Sequence, residues 1–175
     1  MARIELPDEE ALSQVERTEY SRFPSNLTRA LLCTGGCARG FLDLGFALRT
    51  THLNAKDYEL VILRVAALSG SAYERMQHLP AARQAGWSDA EIVAIENGPR
   101  NLLSDASRAL LAFIDECVRN VRVSQRTFDW TLRYFSEGAL ADAVLLTGYY
   151  MMTARFLETL QVDLDSAPCE VLLVR

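Results

Sequence analysis

The chain has 175 residues, half of them hydrophobic, and a formal net charge of −5. A single domain of this length buries about 70% of the surface that its unfolded chain exposes. The acidic balance argues against nucleic acid or an anionic membrane as the main partner. The N-terminal sequence MARIELPDEE lacks the basic start and apolar centre of a secretory signal. We therefore expect a cytoplasmic protein whose four cysteines are thiols.

The first 50 residues predict an arm and two short helices. Residues 1–20 carry many charges and predict a loosely held N-terminal arm. Ser25 or Asn26 can cap a helix that ends at the Thr-Gly-Gly of residues 34–36. Residues 37–49 then predict a helix with one broad apolar face.

The segment of residues 58–86 predicts two helices folded back on each other. Asn54 is a good N-cap for the first helix, whose apolar run is interrupted by Arg64, so this helix should be buried on most sides. A Ser-Gly-Ser break follows it. Ser71 and Glu74 have the spacing of a capping box, which predicts the start of the second helix.

The second helix carries one chemically distinct stripe. Ser71, Glu74 and His78 are spaced i, i+3 and i+7, which places them on one face of the helix. His78 is one of two histidines in the chain, and an imidazole can serve as a general acid or base near neutral pH. Pro80 removes a backbone hydrogen bond and should kink the helix close to His78. The alternative role for His78 is therefore a core histidine that donates to the carbonyl freed by Pro80.

The second half of the chain continues the helical pattern. Ser88 and Glu91 form a second capping box, which opens a short helix. A longer helix begins at Ser104 or Asp105, and Ser124 caps the next one.

Residues 139–160 predict a last long helix that is apolar nearly all round. Asp142 and Arg155 interrupt it and argue against a membrane span. An alternating pattern typical of a strand occurs at residues 170–174. The sequence thus predicts an all-α fold of about seven or eight helices, and the surplus of apolar helix surface predicts a homo-oligomer. The predicted organisation is an N-terminal arm (1–20), a helical domain (21–162) and a C-terminal tail (163–175).

Four stretches share a resemblance to one family. They are YELVILRVA with Glu59, YERMQH with His78, AARQAGWSDAEI and LLTGYYMMTARFLETLQVD. Together they resemble the carboxymuconolactone decarboxylase and alkylhydroperoxidase-like (AhpD-like) family over roughly residues 42–163. The resemblance implies an AhpD-like bundle, a small-molecule substrate, and homotrimers or hexamers built from trimers. In the peroxidase branch of the family, a Cys-x-x-Cys pair occupies the positions that Ser71 and Glu74 hold here.

The resemblance also implies roles for two acidic residues near His78. It implies a proton relay between Glu59 and His78, directly or through water. The alternative is that Glu59 only complements the dipole of the first helical turn. Glu74 either serves the capping box alone or, if its carboxylate is not used there, orients or charges His78.

Three further residues are candidates for binding a substrate. Ser71 and Tyr73 could donate hydrogen bonds to a bound carboxylate or oxyanion. Arg64 interrupts an apolar run, and a buried guanidinium needs a partner. It could hold an anionic substrate, or pair with an acid across a subunit boundary. A metal site is not favoured, because the two helices contain no His-x-x-x-His pair.

These residues support three functional hypotheses. The first is a carboxymuconolactone decarboxylase-like, decarboxylase or lyase type of acid–base enzyme, acting without a cofactor on a small anionic cyclic or unsaturated carbonyl compound. The second is an alkylhydroperoxidase or peroxiredoxin-type activity, but the x₃ spacing of Cys33 and Cys37 is not that of a redox pair. The third is a non-catalytic helical oligomer that binds a small apolar molecule beside residues 149–152.

Overall fold

The computed structural model describes residues 2–169, and this part of the chain is all-α. The all-α prediction is confirmed, with nine α-helices in the described range where about seven or eight were expected. The strand-like pattern at residues 170–174 lies outside the described residues. The helices are α1 Gln14–Tyr20, α2 Asn26–Leu32, α3 Cys37–Ala47, α4 Ala55–Ser69, α5 Ala72–Gln84, α6 Asp89–Glu96, α7 Asp105–Asn120, α8 Gln125–Thr131 and α9 Glu137–Leu160.

Side-chain caps define most of the helix starts. A serine or asparagine oxygen accepts a backbone N–H at the start of every helix except α3, which follows Gly36 in the left-handed region. Ser88 and Glu91 form the complete capping box expected from the sequence. The capping box expected at Ser71 is only half formed. The Glu74 N–H donates to Ser71 Oγ at 3.4 Å, but the Glu74 carboxyl oxygens have no hydrogen-bond partner among the described residues.

Helix α4 forms the centre of the bundle and packs against α5, α6, α7 and α9. Leu60, Ile62 and Leu63 are fully buried, as the nearly continuous apolar run predicts. Burying one such side chain contributes about 1.5–3 kcal/mol. A second, smaller core lies between α2, α3 and the C-terminal part of α9, and it includes Leu27, Leu42 and Leu157. The candidate site lies where these two cores meet.

The ends of the described chain are hydrogen-bonded to the bundle. The Arg3 N–H donates to the Leu160 carbonyl at 2.8 Å, and Arg29 Nε donates to the Pro7 carbonyl at 2.8 Å. Asp165 accepts the N–H of Asn26 at 2.7 Å. The predicted division into arm, domain and tail stays a prediction.

The outer face of α9 exposes several apolar side chains. Leu145 is 61% exposed, and Val144 and Met152 are 44% and 46% exposed. Within residues 2–169, every helix falls short of the length or the apolarity that a bilayer span requires. The homo-oligomer expected from this apolar surface stays a prediction.

Candidate active site

A small cavity lies between α2, α3, α4, α5 and α9. Its volume is 80 Å³, several times the space of about 10–15 Å³ that holds one water molecule. Aromatic and aliphatic side chains form most of the wall, and polar groups enter from α4, α5 and α9. The lining residues that matter chemically are Arg49, Glu59, Tyr73, Glu74, Gln77, His78, Tyr149 and Tyr150.

Three of these side chains form a continuous hydrogen-bonded chain. His78 Nδ1 lies 3.0 Å from Glu59 Oε2, and His78 Nε2 lies 2.9 Å from the Tyr150 hydroxyl. Glu59 and His78 are each 4% exposed and Tyr150 is 8% exposed, so the chain is shielded from bulk water. The expected hairpin of α4 and α5 does bring Glu59 against His78. Because both ring nitrogens have side-chain partners, His78 is not the core histidine that donates to a carbonyl freed by Pro80.

The donor and acceptor roles follow when Glu59 is a carboxylate and His78 a neutral imidazole. A carboxylate only accepts, so Nδ1–H of His78 donates to Glu59. In the neutral imidazole Nε2 is then the acceptor, and it receives the Tyr150 hydroxyl proton. Burial, followed by the nearby acidic groups, raises the pKa of Tyr150 well above its ordinary value, so this hydroxyl stays protonated. The hydrogen-bonded chain from Glu59 through His78 therefore ends in the protonated phenol of Tyr150, which lines the cavity.

Glu74 lies one helical turn before His78 and also lines the cavity. It is 2% exposed, and neither carboxyl oxygen has a hydrogen-bond partner among the described residues. Burial, and to a smaller extent the Glu158 carboxylate, raises the pKa of Glu74 well above its ordinary value. Burial therefore favours the neutral form of this carboxyl group.

The structure places the three expected substrate-binding residues differently. Ser71 is buried as the cap of α5 and does not reach the cavity. Tyr73 lines the cavity, but its hydroxyl accepts the Leu27 N–H at 3.1 Å and donates to Asp165. Arg64 points away from the cavity. Its Nε donates to Asp115 Oδ1 at 2.6 Å, so its acid lies in the same chain and not across a subunit boundary.

The C-terminal segment closes one wall of the site. Asp165 accepts hydrogen bonds from Tyr73 and from Gln77 Nε2, the latter at 2.7 Å. Gln77 Oε1 in turn accepts the Cys169 N–H at 2.7 Å. Two cavity-lining side chains are thus held by the segment that follows α9.

Comparison with known proteins supports the fold. Residues 36–116 match the carboxymuconolactone decarboxylase family. A solved structure of an AhpD core from Ralstonia eutropha JMP134, an uncharacterized peroxidase-related protein, has a TM-score of 0.79 at 17% identity and covers 98% of this chain and 95% of its own. A peroxidase-related protein from Silicibacter sp. TM1040 gives a TM-score of 0.79 at 15% identity, covering 94% of this chain and 92% of its own. Residues 36–116 thus resemble the carboxymuconolactone decarboxylase family, and the fold of the chain is AhpD-like.

A third similar structure is the debrominase Bmp8. It has a TM-score of 0.73 at 16% identity and covers 95% of the AhpD-like chain and 94% of its own. A variant of that debrominase has been solved with 2,3,4-tribromopyrrole. At such identities the likeness establishes the fold. Comparison with curated protein sequences gives no match.

The cysteines of the chain lie outside the cavity lining. Cys33 and Cys37 are exposed thiols, and none of the four cysteines lines the cavity. Burial raises the pKa of the Cys33 thiol, which lowers its thiolate fraction. Among residues 2–169, no group of three or more His, Cys, Asp or Glu side chains is arranged to hold a metal ion.

The sequence analysis did not identify two residues of the candidate site. Residues 149–152 were expected beside a pocket, but nothing in an apolar helix pattern shows which tyrosine faces α5. Tyr150 meets His78 because α9 packs against both α4 and α5. Arg49 lines the cavity at the end of α3, whereas the sequence had drawn attention to Arg64.

Proposed function

We propose that the protein is a carboxymuconolactone decarboxylase-like acid–base enzyme of the decarboxylase or lyase type, which acts on a small anionic cyclic or unsaturated carbonyl compound. The observation that carries this proposal is the buried chain Glu59–His78–Tyr150, which ends in the cavity. A carboxylate, an imidazole and a hydroxyl in series form the arrangement that moves a proton to or from a bound molecule.

The proposed reaction uses the chain in two protonation states. When His78 is protonated, both ring nitrogens donate, so Nε2–H bonds the Tyr150 oxygen and the phenol proton turns into the cavity. The substrate carboxylate leaves as CO2, and its bonding electron pair passes to the ring carbonyl as an enolate. The enolate carbon then takes the phenol proton of Tyr150, and Tyr150 takes the proton of His78. Glu59 stabilises the imidazolium, and solvent protonates His78 again after product release.

The walls of the cavity support a small, mainly apolar substrate with one anionic group. Phe23, Phe41 and Phe46 give it an aromatic lining, and Arg49 provides a positive charge at its edge. The small volume of 80 Å³ favours a small substrate. The debrominase with the similar fold has been solved with a one-ring ligand, a tribromopyrrole.

The experiment is a decarboxylation assay on carboxymuconolactone and a panel of small unsaturated lactone acids and β-keto acids. Removing a general acid–base group costs about 10²–10⁴-fold in rate, so His78→Ala and Tyr150→Phe should each lower kcat by about that factor. His52→Ala is the matched control, since His52 is mainly exposed and bonds Asp142 outside the site. Full activity in His78→Ala would remove the relay from the mechanism.

A thiol-dependent peroxidase function is not favoured by this geometry. The two positions that carry the redox pair in the peroxidase branch hold Ser71 and Glu74 here, and Cys33 and Cys37 are exposed and do not line the cavity. Peroxide consumption that disappears in a Cys33→Ser, Cys37→Ser double variant would restore that hypothesis.

A further inference from the structure

The relay leaves one ionisable group in the cavity unused. Glu74 is the buried side chain whose polar atoms lack a hydrogen-bond partner within residues 2–169, since both of its carboxyl oxygens are unpaired. Buried polar groups are almost always hydrogen-bonded, because leaving one unpaired costs free energy. Glu74 is one of the residues that line the cavity, so its carboxyl group lies beside the space that a bound molecule would occupy. An unpaired carboxyl in a cavity wall is therefore a candidate for a ligand contact.

The surroundings of Glu74 determine which ligand it suits. The titratable and charged groups around it are Glu59 on α4, His78 on α5, Arg49 at the end of α3, and Tyr149, Tyr150 and Glu158 on α9. Burial and Glu158 both oppose ionisation of the carboxyl. A neutral carboxyl has one O–H to donate, and the strongest partner for such a donor is an oxygen that carries negative charge.

Resting on the proposed function, we propose that Glu74 is a catalytic residue whose protonated carboxyl donates a hydrogen bond to the carbonyl oxygen of the substrate as that oxygen becomes an enolate. Loss of CO2 moves an electron pair onto this oxygen, and the Glu74 proton stays on Glu74 while it stabilises the new charge. The Tyr150 proton goes to carbon. In this one step, Glu74 thus stabilises the charge on oxygen and Tyr150 protonates the carbon.

This division narrows the substrate class. The substrate needs a carbonyl oxygen next to Glu74 and a reacting carbon next to Tyr150, with its carboxylate towards Arg49. A small cyclic ketone or lactone acid meets that requirement when its carboxylate is attached to the carbon α to the carbonyl, or to the saturated γ carbon of an α,β-unsaturated carbonyl. An acid without a carbonyl that can accept the electron pair does not.

The test uses 4-nitrophenolate, an oxyanion on a small ring, as a probe of enolate binding. Affinities are measured by absorbance and calorimetry for the wild type, Glu74→Leu and Glu74→Gln, with the exposed Glu137→Gln as the control. A buried hydrogen bond to a charged group contributes about 10- to 100-fold in affinity. We expect a loss of about that size in Glu74→Leu, a smaller loss in Glu74→Gln because its amide still donates, and no change in the control.

Two results would overturn this role. The first is that Glu74→Leu and the wild type bind 4-nitrophenolate with equal affinity. The case in which neither protein binds it counts as this result. The second is preferential, Glu74-dependent binding of benzylamine, because the carboxyl would then be ionised.

The proposed proton relay and the proposed oxyanion contact of Glu74 can be refuted independently of each other. Equal phenolate affinity in Glu74→Leu refutes the contact even where His78→Ala abolishes turnover. Phenolate affinity that depends on Glu74 supports the contact even where His78→Ala retains turnover and the relay is refuted.

Discussion

The Arg64–Asp115 ion pair allows a quantitative prediction about stability. Arg64 is 8% exposed, and its guanidinium donates to Asp115 Oδ1 at 2.6 Å and to the carbonyls of Ile95 and Glu96. Burial alone would raise the pKa of Asp115, but the hydrogen bonds from Arg64 and Arg100 outweigh it and hold that pKa below its ordinary value. The carboxylate is therefore charged at neutral pH and balances a buried cation.

Replacing Asp115 with Asn keeps the shape of the side chain and removes its charge. Breaking a buried pair by removing one partner costs about 3–5 kcal/mol, because the other charge is left uncompensated. A folded domain has a free energy of unfolding of about 5–15 kcal/mol, so the loss is a large share of the total. With a urea m-value of about 1–3 kcal/mol/M, the unfolding midpoint should fall by at least about 1 M.

Urea unfolding followed by circular dichroism at pH 7 measures this shift. The matched control is Asp89→Asn, because the Arg83–Asp89 pair has the same chemistry with side chains 53% and 75% exposed. An exposed pair contributes about 0–1 kcal/mol, so the control should lie close to the wild type. Equal midpoints for Asp115→Asn and Asp89→Asn would refute the reasoning that burial makes the Arg64 pair essential.

Three other substitutions give distinct results. Above pH 4.5, the ordinary pKa of the group, Glu74→Gln should gain stability over the wild type by up to about 1.4 kcal/mol per pH unit. The reason is that Glu74 keeps its proton in the folded wild type and releases it in the unfolded chain. Urea midpoints of the two proteins that stay parallel across pH would contradict this prediction. Asp165→Asn should speed amide hydrogen exchange in residues 163–169 about 10-fold or more, because it weakens the hydrogen bonds that Asp165 accepts from Tyr73 and Gln77. Unchanged exchange would show that other contacts hold the segment. Gly45→Ala should lower the free energy of unfolding by about 1–3 kcal/mol, since the new Cβ would lie 2.4 Å from the Tyr149 hydroxyl. Urea unfolding should show a smaller loss when the substitution is made in a Tyr149→Phe variant. An equal loss in both backgrounds would contradict the clash.

Local patterns in the sequence predicted much of the fold. Serine and asparagine caps set the starts of α4, α6 and α7 within a residue, because a cap is a contact between neighbours in the chain. The meeting of Glu59 and His78 also followed from local structure, since a short break between two helices constrains their pairing. The catalytic roles of both residues stay predictions.

Contacts between distant segments could not be predicted in the same way. Asp115 is 51 residues from Arg64, and no periodicity identifies that partner. Glu74 satisfies the capping-box pattern as well as Glu91 does, yet its carboxyl is unpaired beside the cavity, while that of Glu91 accepts the Ser88 backbone N–H. Whether a glutamate caps or lines a site depends on what the rest of the fold places above it.

The Glu59–His78–Tyr150 chain draws one member from each of α4, α5 and α9. No single helix, nor any hairpin of neighbours, contains the complete set. A loosened state that kept its helicity but let α9 drift from the other two would separate phenol from imidazole. Proton transfer would therefore depend on intact tertiary packing. Under mild denaturation it should be lost before the far-ultraviolet circular dichroism signal of the helices changes.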